Sequence, residues 1–76
     1  MIRAIVDFSA HARSRMAQRD ISERQVLIVL NGGRRVHEPA PAGASIRWRY
    51  SGAVDGRKIT VIVAEEAARV MVITAY

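Results

Sequence analysis

Apolar residues follow a helical period in the first part of the chain and an extended period after residue 33. Phe8, Ala12 and Met16 fall on one narrow apolar stripe when the chain is drawn as a helix. Ser9 is a residue type that caps helix N-termini, so we expect a first helix over Ala10–Arg19.

A bend and a second helix are expected next. Asp20 tolerates the left-handed conformation, which predicts a helix-ending turn there. Ser22 and Gln25 have the spacing of a capping box. The apolar run Val26–Leu30 is by itself compatible with a strand, but the box before it and Asn31-Gly32-Gly33 after it favour a short buried helix.

The second half of the chain predicts four strands joined by short turns. Their expected ranges are Arg34–Glu38, Ser45–Ser51, Lys58–Ala64 and Arg69–Tyr76. The last strand has no alternation at its centre, so we expect it inside the sheet, whereas residues 1–7 alternate weakly and could be a strand or an arm. The fold class predicted for this single domain, residues 1–76, is α+β: two N-terminal helices packed on a four-stranded antiparallel sheet.

An Asp-Gly pair at Asp55-Gly56 predicts a two-residue hairpin between the second and third strands. That turn places Trp48 opposite Val63 and Tyr50 opposite Val61 on one face. The other face then carries Arg47, Arg49 and Ser51 beside Lys58, Thr60 and Ile62. The hairpin therefore gathers three cations on one side, although a wider loop would shift this pairing.

Charge and composition narrow the class of partner. The chain has 76 residues, a net charge of +5, no cysteine and two histidines, and Lys58 is its one lysine among 12 basic residues. We therefore expect no disulfide, no metal site and no cofactor. Arginine presents a planar fork to phosphate or carboxylate, but it also serves as an ordinary solvated cation, so the placement of the arginines has to decide between these roles.

The sequence shows no targeting segment and no apolar run of the roughly 18 residues needed to span a membrane. We expect a soluble, cytoplasmic protein. Several intensely apolar stretches in so short a chain also predict that a partner, or a second copy in a homo-oligomer, covers some apolar surface.

The segment from Ser9 to Ser22, SAHARSRMAQRDIS, resembles the opening signature of a widespread bacterial family of unknown function, S-x-H-A-x-x-R-M-x-x-R-G-I-S. The ending Val72–Tyr76 is similar to that family's closing strand. The likeness extends over nearly the whole chain, and its one departure is Asp20 in place of the usual glycine. The family is thought of as allied to the RelE/ParE-type toxin superfamily.

That resemblance implies the toxin half of a toxin–antitoxin pair, and a metal-independent endoribonuclease acting on RNA, including ribosome-associated mRNA. Cleavage of this kind uses the RNA's own 2′-hydroxyl and needs an acid, a base and cations around the phosphate. We expect catalytic roles for His11, Arg15, Arg47 and Arg49. Substrate-binding roles are expected for Arg19, Arg57, Lys58, Tyr50 and Tyr76.

Alternative roles exist for most of these residues. His11, Arg15 and Arg19 could lock the first helix to the sheet instead of touching RNA. Arg47 and Arg49 could form a solvated face. Trp48 could stack a base, as could Tyr50 and Tyr76, but Trp48 and Tyr50 could instead belong to the core. His37 could be the acid or base in place of His11, but we expect it to be a surface histidine. At the level of function, the alternatives are a non-catalytic toxin that poisons a DNA topoisomerase and a nucleic-acid- or protein-binding module without enzymatic activity.

Overall fold

The computed structural model of the chain describes residues 5–76 and contains two helices and five strands. The elements, in chain order, are β1 (Ile5–Phe8), α1 (Ala10–Arg19), α2 (Glu23–Gly32), β2 (Arg34–Glu38), β3 (Arg47–Val54), β4 (Arg57–Glu66) and β5 (Arg69–Ala75). Of the segment expected to be a strand or an arm over residues 1–7, the first four residues lie outside the described part.

The sheet is mixed and has five strands in the order β1-β5-β4-β3-β2. β1 runs parallel to β5, with Ile5 opposite Arg69 and Phe8 opposite Val72, and the other neighbours are antiparallel. The prediction of a four-stranded antiparallel sheet is therefore wrong. The sequence pattern hides β1 because this strand is only four residues long and ends at Phe8, whose spacing to Ala12 also fits a helix. β5 lies inside the sheet, as expected.

Both predicted helices are confirmed, together with their capping residues. The Ser9 hydroxyl accepts a hydrogen bond from the Ala12 N–H, and Asp20 ends α1 in the left-handed conformation with φ 56° and ψ 49°. At α2, Ser22 and Gln25 form both bonds of the capping box, at 3.0 and 3.1 Å. Local sequence therefore determines where each helix begins.

Two tight joints set the position of β3. Asp55 and Gly56 both have positive φ, 52° and 79°, as a type I′ hairpin turn requires, and the register that they set is the predicted one. At the other joint, Gly33 follows α2 and its Cα lies so near the backbone of β3 that a Cβ there would be 2.7 Å from the Ser51 carbonyl oxygen.

One hydrophobic core joins both helices to one face of the sheet. From the helices it contains Ala12, Met16, Ile21, Val26, Val29 and Leu30; from the sheet it contains Tyr50, Val54, Ile59, Val61, Val63, Val70, Val72 and Ala75. Because successive strand residues point to opposite faces, the residues between these face away from both helices. We call this second side the open face. Ile62, although only 7% exposed, belongs to it and not to the core cluster.

Candidate nucleic-acid interface

A row of polar residues crosses β2, β3 and β4 on the open face and ends at Tyr76, the residue after β5. Arg34 on β2 is opposite Ser51 on β3, and Ser51 is opposite Thr60 on β4. Thr60 and Tyr76 exchange two main-chain hydrogen bonds of 2.7 and 2.8 Å. Directly opposite residues share a face, so the Tyr76 phenol lies on the open face, where the side chain is 44% exposed.

Three further cations lie on the same face as this row. Arg49 is opposite Ile62 in the neighbouring row, Arg47 follows one row farther on, and Lys58 lies on the other side of the Thr60 row. We call Arg34, Arg47, Arg49, Lys58 and Tyr76 the open-face cluster. Across the strands it spans three strand spacings, about 14 Å, from Arg34 to Tyr76, and along the strands it spans six residues, about 20 Å, from Arg47 to Lys58.

Few carboxylates neutralise the open-face cluster. Within residues 5–76, Glu38 forms the one ion pair to this cluster, with Oε1 3.9 Å from Arg49 Nη1. Within residues 5–76, Arg34, Arg47 and Lys58 form no ion pair, and the half-buried Arg47 also leaves its Nε without a hydrogen-bond partner. Uncompensated like charges repel one another, and an anionic ligand would relieve that repulsion.

The helix-borne part of the expected site lies elsewhere. His11, Arg15 and Arg19 are on α1, which packs on the other side of the sheet. His11 and Arg19 are exposed and Arg15 is half-buried. Within residues 5–76 their side chains make none of the hydrogen bonds or ion pairs that would lock the helix to the sheet. The sheet separates this ladder from Arg47 and Arg49.

Arg57 and Tyr50 also point to the helix side. The Arg57 guanidinium donates hydrogen bonds to the carbonyl oxygens of Arg19, at 2.7 Å, and Asp20, at 3.0 Å. These carbonyls end α1, where a positive charge is stabilising. Tyr50 is only 8% exposed and packs within the core. Of the two tyrosines expected to contact substrate, Tyr76 is therefore the one that a ligand can reach.

Trp48 lies on the helix side near the outer strand, within a polar cluster. Arg35 stacks over its ring, with the guanidinium carbon 3.9 Å from the ring centroid. His37 meets the same ring edge-on, with centroids 5.7 Å apart, and the indole N–H donates to Glu65 at 3.3 Å. Trp48 is thus already engaged by three side chains.

Asp55 connects the hairpin turn to α2. Its Oδ2 accepts hydrogen bonds from Gln25 Nε2, at 3.0 Å, and from Arg24 Nη2, at 2.6 Å. The hydrogen bond from Gln25, followed by that from Arg24, lowers the pKa of the Asp55 carboxyl. Gln25 also closes the capping box, so one side chain links the start of α2 to the hairpin that carries the open-face cluster.

Other features of the described residues add no further candidate. A cleft of about 310 Å³ lies at the bend between α1 and α2, and its lining includes Met16, Ile21 and Gln25 but none of the expected site residues. Within residues 5–76, no three His, Asp or Glu side chains are grouped to hold a metal ion. No helix in that part of the chain is long and apolar enough to cross a membrane.

The structure thus places Arg47, Arg49, Lys58 and Tyr76 on one face of the sheet. It adds Arg34, which is not among the site residues predicted from the sequence. The signal for Arg34 was present in the strand pattern, because β2 has the predicted bounds. What the pattern lacks is the pairing of β2 with β3, which places Arg34 at the end of the Ser51–Thr60 row.

Residues 8–76 match the family described as Domain of unknown function (DUF4258), and the chain belongs to that family. Neither the comparison with curated proteins nor that with solved structures found a match. The expectation that the chain belongs to a family of unknown function is therefore confirmed. The signature quoted for that family and its relation to RelE/ParE-type toxins stay predictions.

Proposed function

We propose that this domain binds single-stranded RNA on the open face of its sheet. The observation that carries the proposal is the open-face cluster itself: four cations and one exposed phenol share a face that no described helix covers. Only one carboxylate, Glu38, lies within 4.0 Å of any of these cations in residues 5–76.

The chemistry of the cluster fits RNA in three respects. The guanidinium groups of Arg34, Arg47 and Arg49 match phosphate oxygens with a bidentate fork. The exposed Tyr76 ring offers a stacking surface for an unpaired base. Between the cations, hydroxyl groups from Ser51 and other residues of the row are available to sugar and phosphate oxygens. A sheet surface with an aromatic ring suits splayed single strands better than the groove of a duplex.

The binding test compares two arginines that lie in different layers. Arg49→Ala removes a cation from the open-face cluster, and Arg19→Ala removes an exposed cation from α1. We expect Arg49→Ala to weaken binding of a fluorescent single-stranded RNA at least about tenfold, since a charged contact is worth roughly 1.5–3 kcal/mol. Arg19→Ala should leave the affinity within twofold. The reverse result would place the interface on α1 and refute the proposal.

We further propose that the bound RNA is cleaved, as expected for a toxin-like endoribonuclease with an antitoxin as its protein partner. The observation that favours cleavage is that Tyr76 and Lys58, two side chains able to exchange protons, share a face with the arginines. The arginines would stabilise the crowded phosphate as negative charge develops on it. His11, the expected acid or base, is on the other side of the sheet, so this cleavage proposal relies on Tyr76 and Lys58.

Cleavage is tested by incubating the purified domain with RNA and mapping the new ends. Tyr76→Phe keeps the stacking ring and removes the hydroxyl group, so we expect RNA binding to persist and cleavage to fall at least 100-fold. His11→Ala is the comparison variant and should cut normally. Loss of cleavage in His11→Ala but not in Tyr76→Phe would contradict this assignment.

Expression in a bacterium separates the remaining functional classes. A toxin-like ribonuclease arrests growth and leaves cut transcripts, whereas a topoisomerase poison leaves broken DNA and intact RNA. Normal growth with unchanged transcripts would reduce the function to RNA binding alone. Arrest with broken DNA and intact RNA would refute the ribonuclease proposal.

A further inference from the structure

The outer edge of β2 has unpaired main-chain groups whose identity follows from the sheet register. The Glu65 N–H donates to the Ile46 carbonyl at 2.7 Å, so the even-numbered residues of β3 bond to β4. The odd-numbered residues of β3 must then bond to β2, where they face Arg34, Val36 and Glu38. Arg35 and His37 consequently direct their N–H and C=O groups to the free edge.

This edge is long enough to accept another strand. β2 has five residues and no proline inside it, and no other described strand pairs with its outer side. Val36 on the open face is 40% exposed. An edge with unpaired groups and an exposed β-branched residue is a template for β-pairing.

We propose that a second copy of this chain pairs with β2 in an antiparallel register centred on Val36. In this register Arg34 is opposite Glu38 of the second copy, and Glu38 is opposite its Arg34, so both cross-strand pairs combine opposite charges. Arg35 and His37 are opposite each other and supply four main-chain hydrogen bonds in all. The sequence Arg-Arg-Val-His-Glu is complementary to itself about its central residue.

Charge complementarity selects a second copy over an unrelated strand. A uniformly acidic peptide would match Arg34 and Arg35 but oppose Glu38, and a uniformly basic one would do the reverse. Arg35 does not disturb the dimer register, because its guanidinium is turned onto Trp48, 3.9 Å from the ring centroid. The two sheets would join into one of ten strands, with two open-face clusters on the same side.

The first test follows association by sedimentation equilibrium from 5 to about 500 μM, with circular dichroism to confirm folding. We expect wild-type chains to dimerise reversibly in this range, because a five-residue strand pair is a small interface. Glu38→Arg places arginine opposite Arg34 and should weaken the dimer at least about tenfold. Glu66→Arg makes the same charge change on the open face away from this edge and should leave association unchanged. A wild-type chain that stays monomeric would overturn the proposal.

The second test determines the register of the strand pairing. It does not require either variant to form a homodimer. In a homodimer of Arg34→Glu, or in one of Glu38→Arg, residues 34 and 38 of the two copies carry like charges and lie opposite each other. An equimolar mixture of the two restores both opposite-charge pairs. We expect the mixture to form a heterodimer at least about tenfold tighter than either homodimer. Equal association in all three samples would refute the register, whatever the RNA affinity of the chain, since this inference does not rest on the proposed function.

Discussion

Replacing Gly33 by alanine should destabilise the domain, because this glycine lets α2 approach β3. A Cβ at Gly33 would lie 2.5 Å from the Val29 carbonyl oxygen and 2.7 Å from that of Ser51, against an ordinary contact of at least 3.4 Å. The two distances fall short of an ordinary contact by about 0.9 and 0.7 Å. Both opposing atoms are main-chain oxygens, so no side-chain rotation can relieve the collision.

The cost follows from comparable overpacking. Forcing extra volume into a packed region typically costs about 1–3 kcal/mol, and the lower unfolded-state entropy of alanine returns about 0.4–1 kcal/mol. We therefore expect Gly33→Ala to lower the free energy of unfolding by about 1–2 kcal/mol. For a domain of this size, that corresponds to a fall in Tm of about 4–16 °C.

Gly32 provides a matched control one residue earlier. It is the last residue of α2, and a Cβ there would meet nothing within 4 Å. Gly32→Ala should therefore leave stability unchanged or raise it by up to about 1 kcal/mol, because alanine has the higher helix propensity. Urea unfolding followed by circular dichroism measures both variants. If Gly33→Ala proves as stable as Gly32→Ala, the close approach of α2 and β3 does not exist as described.

Four further predictions concern the open-face cluster and the contacts that support its hairpin and helices. Arg57→Ala should lower the free energy of unfolding by about 1 kcal/mol without changing RNA affinity, because Arg57 caps α1. Lys58→Ala should weaken RNA binding without changing stability. A thermal melt measures the stability of both variants, and an anisotropy titration measures their RNA affinity. Ser22→Ala should cost about 1 kcal/mol through loss of the capping box, and an unchanged urea midpoint would show that the box contributes nothing. The lowered pKa of the Asp55 carboxyl means that the folded state resists its protonation, so its contribution is present at neutral pH and is lost as the pH falls below about 4. Urea unfolding between pH 3 and 7 should therefore show a shallower loss of stability on acidification for Asp55→Asn than for wild type, and parallel curves would contradict this.

Sequence was most informative where the structure is determined locally. The N-caps, the left-handed bend at Asp20 and the Asp55-Gly56 hairpin were all predicted, because each depends on residues within about four positions of one another. The same local logic placed Trp48 opposite Val63 and thereby assigned Arg47 and Arg49 to the face away from the core.

Contacts between segments that are distant in the sequence were not predicted. β1 joins β5 from the far end of the chain, and Val6 and Phe8 pack against the core next to it. A four-residue pattern does not predict that parallel pairing. The same limitation explains the site: the helix-borne His11 and the sheet-borne Arg49 both bear suitable chemistry, but only the topology shows that the sheet lies between them.

The position of Tyr76 also needed the tertiary structure. Local sequence does not show which backbone lies opposite residue 76 in the sheet. Two main-chain hydrogen bonds to Thr60 hold it in the sheet and direct its ring to the open face.

The salt dependence of RNA binding tests the central claim most directly, because it counts the phosphates that the open face neutralises. If Arg34, Arg47, Arg49 and Lys58 each contact one phosphate, the logarithm of the association constant should fall with the logarithm of salt concentration with a slope of about −2.8. Arg49→Ala should reduce that slope to about −2.1, while Arg19→Ala should leave it at the wild-type value. A wild-type slope near zero, or a slope changed by Arg19→Ala and not by Arg49→Ala, would contradict RNA binding by the open face.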